Sequence, residues 1–495
     1  MTANFLAVDI GTSHCRAAVV TDTGRVISHS QAPLKVDIGE DESAQVDIPH
    51  VWQQVIRVIR SETTKQPHAH FEAVGISAML GHVFLDKHYQ PLHPAMIWMD
   101  NRARMEVAQI QSLIPLKDIY QRTGRRPNPD LLAPRIMWLA KHQPSLYRHL
   151  YKIIGLKDEI VRRLTEVVQS DLSHLNYSLL FNIHSGRRDT DLMKSLGIRP
   201  SLLTAPRKAT DIVGFVTPAA ARAAGLKQGT PVVSGSSDGM SAMYGGGVLN
   251  QGHAVLVSGT TDVLMMCAPD PPVDPSRTLT INSAMVPDVY LAGGAMGLSG
   301  GALKYIETLL NQSARALADE INRLNPGAEG LMFIPGLSGE RAPYWQNRRG
   351  GAFIGLTLFH RAHHLLRAVM EGTAYRIRRL ILAMQSCGLT PEVLNVVGGC
   401  AELDVWNQIR ADVAGIEVQK PAVSEATILG TALFCMAGIH PDLSLTEVSQ
   451  KWIKVRKRHL PNQTAAAIYE RYADLFDMFM KDTKYIEKEL KALKS

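Results

Sequence analysis

Short apolar runs broken by Gly, Thr and Ser alternate along the chain with longer stretches in which apolar residues recur every three or four positions. These are the periods of buried strands and of amphipathic helices. Residues 5–20 read FLAVDIGTSHCRAAVV. An apolar strand stops at Gly11, Thr12 and Ser13, a second apolar run leaves, and Asp22-Thr23-Gly24 turns into Val26-Ile27, which predicts a three-stranded meander. Residues 253–267, HAVLVSGTTDVLMMC, repeat the device around Gly259, Thr260 and Thr261. Its recurrence so far along one chain predicts duplicated domains.

Between these openings, Val51, Val55, Val58 and Ile59 share one side of a helix over residues 52–61. Strands are expected at 71–77 and 83–85, and a helix at 136–141 that Pro144 closes. In the second half, helices over 365–384, 405–413 and 429–437 alternate with a strand at 393–397. Such alternation predicts an α/β fold with a largely parallel or mixed sheet in each half. The charged tail, 465–495, sets Tyr469, Tyr472, Leu475 and Phe476 at helical spacing, so a last helix is expected on the second domain.

The chain has 495 residues, too many for one ordinary core, and two domains are expected, 1–247 and 248–495. Its 45% apolar and 20% charged residues are those of an average globular protein. No apolar run is long enough for a membrane span, and the N-terminus lacks a basic segment and cleavage site, so neither a membrane partner nor a secretion signal is expected. Five scattered cysteines without a Cys-x-x-Cys pair suggest neither disulfides nor zinc, and a cytoplasmic setting fits them. The net charge of +7 is spread thinly. Basic pairs such as Arg125-Arg126, Arg187-Arg188 and Arg348-Arg349 lack interleaved aromatics, so no nucleic-acid partner is expected.

A Gly-Thr-Ser/Thr turn presents backbone N–H groups and hydroxyls that suit phosphate oxygens. Asp9 ends the strand before the first turn, while the second turn has Val257 at the equivalent position. Asp9 either orients water around a magnesium ion or closes the hairpin. Residues 232–247, VVSGSSDGMSAMYGGG, carry Asp238 from a strand into a small-residue helix. That carboxylate is either a proton acceptor or a helix cap.

Together these features resemble the FGGY family of carbohydrate kinases, which belongs with actin, hexokinase and the heat-shock ATPases. The sharpest match is FIPGLSGERAPYWQNRRGGAFIGLTL at 333–358, continuing into His364, Leu365, Ala368, Val369, Met370 and Glu371. The resemblance implies two duplicated actin/hexokinase-like (ribonuclease-H-like) domains with an inter-domain cleft, ATP and Mg2+ as cofactors, and in-line phosphoryl transfer with Asp238 as base. It implies a first phosphate loop of Gly11, Thr12, Ser13 and Arg16, with Asp9 near the metal, and a second of Gly259, Thr260 and Thr261. Gly398, Gly399 and Gln408 resemble the adenosine element, with Cys400 where a third small residue is common.

The acceptor is expected near Met79, His82, Trp98, Asp100 and Asp130. No Arg-Glu pair stands in SAMLGHVFLD, which disfavours glycerol, and Met79 with Gly81-His82 is a rearranged version of a xylulokinase-like stretch. Asp100 either accepts from vicinal hydroxyls or pairs with Arg102 or Arg104. His82 either touches the substrate or is a satisfied loop histidine. Asp130 makes the pocket more polar. The partner expected is a small sugar or polyol, xylulose-like by preference, with an alditol or gluconate as the alternative. A non-catalytic sensor is the rival outside enzymes, and a homodimer is left open.

Overall fold

The strand Asn4–Ile10 is apolar on both faces and buried from Phe5 onward, so it must sit inside a sheet covered on two sides. It does. The computed structural model describes residues 3–283, 286, 289–345, 350–422 and 425–492. The Arg348-Arg349 pair therefore lies outside the described residues. Asn4–Ile10 pairs antiparallel with His14–Thr21, with Asp9 opposite Arg16, and His14–Thr21 pairs antiparallel with Val26–Pro33. On its other side Phe71–Ala78 and then Pro231–Ser237 run parallel to it, and Ile212–Phe215 closes the edge. Ile10, Ala78 and Ser237 are in register. The first glycine turn, Met79 and Asp238 therefore all leave from the carboxyl edge of one sheet, where open α/β sheets place ligands.

The second sheet repeats this order. His253–Ser258 forms a hairpin with Thr261–Ala268, which pairs antiparallel with Tyr290–Leu298. Val393–Val397 and Glu417–Pro421 lie parallel on the other side, and Thr280–Asn282 and Val455–His459 are the edges. Val257 and Val397 are in register, so the second turn and Gly398-Gly399 share one edge. The molecule is thus a two-domain α/β protein with a mixed sheet in each domain, as expected.

The strand expected at 83–85 belongs elsewhere. Gly81–Leu85 pairs with Ala95–Ile97 and Lys152–Gly155 in a separate small sheet, which carries the stretches expected to bind the acceptor. Pro144 also does more than end a helix: Leu132–His142 stops before it, and Pro144 then starts the short helix Pro144–His149 at a position that suits its missing N–H.

Two helices join the domains. Asp238–Gly245 leaves the first sheet, and Ala426–Ile439, buried almost all round, packs against it and covers strands Asn4–Ile10 and Phe71–Ala78. They cross backbone to backbone. A Cβ on Gly430 would stand 1.8 Å from Ser241 O, and one on Gly245 1.9 Å from Ala426 O. The tail helix Gln463–Ala492 docks on the second domain through buried Tyr469 and Phe476. No described helix is long and apolar enough to cross a membrane.

Candidate active site

At the edge of the first sheet, the hairpin is closed by its own backbone, Gly11 N–H donating to His14 O at 3.0 Å. The Asp9 carboxylate is free of that duty. It accepts from Ser77 Oγ at 3.1 Å and meets Arg16 Nη1 at 3.6 Å, while the same guanidinium nitrogen lies 3.7 Å from Glu425. Burial and then the neighbouring Asp238 carboxylate push the Asp9 carboxyl up to about 7, with Arg16 and Ser77 opposing. Asp238 is partly exposed. Ser237, not Asp238, holds the N-cap position of the helix, and Asp238 accepts from the Gly239 N–H at 2.7 Å. Burial raises its carboxyl as well.

Magnesium takes one or two carboxylates beside substrate phosphates and keeps several waters. Asp9 and Asp238, the second close enough to raise the proton affinity of the first, fit that demand. Among the described residues no set of three or more His, Cys, Asp or Glu groups would hold a metal ion by itself.

In the second domain the Gly259-Thr260 turn is gripped from two directions. Ser299 and Gly301 donate to Thr260 O at 2.9 and 3.0 Å, and Gly300 donates to Gly259 O at 3.0 Å. Cys400 Sγ lies 3.4 Å from Gly259 O and against Gly300, where a Cβ would come within 2.4 Å of it. Gly398 has φ +93°, and a Cβ there would meet Ser258 O at 2.5 Å, so this turn requires glycine. Arg410 Nη2 donates to Ser258 Oγ at 2.7 Å, and Asn407 Nδ2 to Ala401 O at 2.8 Å. Gln408 is the exception among the residues expected here. Its amide donates to Asp412 and to Leu460 O. One position on the helix Asp404–Ala414 turns it away from the loop that Asn407 serves.

Near the expected acceptor stretches, Met79 is buried and its N–H donates to Ile10 O at 2.7 Å, tying this stretch to the first hairpin. His82 is fully buried. Its Nδ1 lies 2.8 Å from His174 Nε2 and its Nε2 3.4 Å from Asp130 O, and burial holds it well below the usual histidine range. Asp100 is saturated by this chain: Arg102 donates to both oxygens, closest at 2.7 Å, and Ala44 N–H adds a bond at 3.1 Å. The ion-pair alternative is thus the one seen for Asp100.

Asp130 is differently placed. It accepts from the Tyr177 hydroxyl and from Asn128 Nδ2, and Arg341 Nη2 of the second domain reaches it at 3.5 Å. Arg341 also lies over the Trp98 ring at 5.8 Å. Arg125, Arg126 and Trp345 line the same cavity. Sequence reasoning missed Arg341, Tyr177 and Arg125 as site residues. Arg341 stood in plain view inside GERAP, and its neighbour Glu340 is fixed by a fully buried pair with Arg376, at 3.1 Å.

Two sheets of like topology, each with a glycine turn at its first hairpin and joined by crossed helices, make the actin and hexokinase-like fold. The FGGY family of carbohydrate kinases matches the chain with its N-terminal domain over residues 4–245 and its C-terminal domain over 254–439. A gluconokinase of Bacillus licheniformis is 27% identical over 96% of this chain and 95% of its own. A xylulose kinase of Escherichia coli (strain K12) is 25% identical over 95% and 97%. The structure of a ligand-bound xylulose kinase from Lactobacillus acidophilus superposes with a TM-score of 0.93 at 21% identity, over 99% of this chain and 100% of that one. The chain belongs to the FGGY family of carbohydrate kinases and is an ATP-dependent carbohydrate kinase.

Proposed function

We propose that the enzyme transfers the γ-phosphoryl group of ATP to a hydroxyl of a xylulose-like ketose, with Asp238 as general base. The observation that carries the reading is the Asp238 carboxylate, partly exposed, uncommitted to capping, and beside the buried Asp9. An Asp238 oxygen takes the proton as the substrate oxygen attacks phosphorus, and the bridging oxygen of ADP leaves with the electron pair of the broken P–O bond. Asp9 would hold magnesium, which offsets phosphate charge when bound. The turns at Gly11–Ser13 and Gly259–Thr261 would give backbone N–H groups to the phosphates, with Arg16 close to the first, and Gly398, Gly399 and Cys400 would border the nucleoside. Met79, His82, Trp98, Asp100 and Asp130 would form and brace the acceptor wall. Residues 1–247 would then carry base and acceptor and 248–495 the nucleotide, in a cytoplasmic enzyme.

A sugar acid is the second reading. Arg125, Arg126 and Arg341 bring three guanidinium groups around one carboxylate, Asp130, an excess that favours an anionic acceptor. The gluconokinase relative agrees with it. An ADP-release screen of purified protein over ketoses, aldoses, alditols and sugar acids separates the two. Asp238→Asn should lower turnover by about 10²–10⁴-fold with ATP binding retained. Full turnover in that variant would remove Asp238 from the mechanism.

A further inference from the structure

The strand that delivers Asp238 is irregular just before it. Its pairing with Phe71–Ala78 shifts between Val233 and Ser236. Gly235, at φ +68°, is pressed so close to Ile76 O that a Cβ would stand 1.9 Å away. Such bulges re-aim side chains, and they need outside support because their ladder is broken.

That support is a buried polar chain outside the transfer chemistry. Ser234 O, at the start of the bulge, accepts from Lys157 Nζ at 2.5 Å. Lys157 also meets Asp158 at 2.6 Å and Asp171 at 3.3 Å. Asp171 in turn accepts from the Ser173 N–H at 2.7 Å and from its hydroxyl, and Ser173 Oγ accepts from the Ser237 N–H at 2.9 Å. The chain thus begins at Ser234, passes through one lysine and one carboxylate, and ends on the residue before Asp238. Lys157, Asp158, Asp171 and Ser173 are all buried. The void beside them, bordered by Met79, Lys157, Ser173 and Ser237, is about 10 Å³, the size of a single water at most. Burying three charges carries a desolvation cost that an apolar core would avoid, and a saturated network gives fixed geometry in exchange.

We propose that Lys157, Asp171 and Ser173 form a positioning brace for the catalytic base, holding both ends of the bulge so that Asp238 points at the acceptor hydroxyl. The inference rests on Asp238 being the base. Ser173→Ala removes the link to Ser237. It should lower kcat at least tenfold while KM for ATP and for the sugar stays within twofold and the melting curve stays cooperative. Ser173→Thr, which keeps the hydroxyl, should restore most of kcat, and Ser173→Cys, a weaker acceptor of similar size, reads the same bond if the alanine variant does not fold. Combining Ser173→Ala with Lys157→Met should lower kcat by less than the product of the single effects, because both cut one chain. Wild-type kcat in Ser173→Ala, equal losses in the alanine and threonine variants, or multiplicative losses would overturn the brace. Asp238→Asn run in parallel tells the two readings apart. Its inactivity beside an active Ser173→Ala sinks the brace alone, and its activity sinks the base assignment and the brace with it.

Discussion

Asp9→Asn should make the nucleotide-free protein more stable at alkaline pH while sharply lowering its turnover. Burial and the Asp238 carboxylate lift the Asp9 carboxyl from 3.8 to about 7. The folded chain therefore keeps a proton that the unfolded chain has already released. Folding loses stability as pH rises from the unfolded value towards the folded one, and above about 7 the whole penalty is present. At about 1.4 kcal/mol per pH unit the gap amounts to roughly 4 kcal/mol. The attraction of Arg16, whose guanidinium is 41% exposed to solvent, is already contained in that value, where it opposes the rise. An asparagine oxygen still accepts the Ser77 hydroxyl. A net gain of up to roughly 4 kcal/mol is expected above neutrality, and a smaller one near pH 5, where much of the penalty has yet to develop. Melting curves of the two proteins without nucleotide, near pH 5 and near pH 8.5, read the difference directly. The lead of the variant should widen by a few degrees at the higher pH, while its magnesium-dependent turnover falls about 100-fold or more. An equal difference at both pH values, or a variant weaker than wild type at the higher one, would refute the reasoning.

Arg376→Met should destabilise the second domain by about 3–5 kcal/mol, because it strips the guanidinium from fully buried Glu340. Urea unfolding measures the loss, and adding Glu340→Gln should recover part of it. Gly430→Ala should cost about 3 kcal/mol or more, since the new methyl meets backbone atoms at 1.8 Å that no side-chain rotation relieves. A melting temperature unchanged from wild type would show that the helix crossing is looser than described.

The two hairpins and the alternation of strands with helices were legible because they depend on local patterning. Apolar runs such as 5–10 and 393–397, stopped by glycine turns, determine strands, and a repeated hairpin signals a repeated domain. The places of Asp9 and Asp238 at the edge of the first sheet were legible because each sits alone near the end of such a run. What escaped notice depends on partners far away in the sequence. Arg341 meets Asp130 more than two hundred positions earlier. Lys157, Asp171 and Ser173 read as ordinary polar residues until Ser234 and Ser237 are brought beside them. Gln408 points elsewhere for a different reason: on a helix one step in sequence is a large turn about the axis, and Asn407 and Arg410 face the loop. Asp100 looked available only because spacing does not reveal that Arg102 and Ala44 fill its lone pairs.

The crossing of Asp238–Gly245 with Ala426–Ile439 bears on how the chain can be divided. Each lobe lends the other part of its roof. A fragment ending near residue 247 would bare the apolar floor on which Leu429, Leu433 and Phe434 rest, and it would associate or aggregate instead of standing alone. The complementary fragment would carry an orphaned, nearly all-apolar helix. Split into halves, this enzyme should regain order only when both pieces are present together.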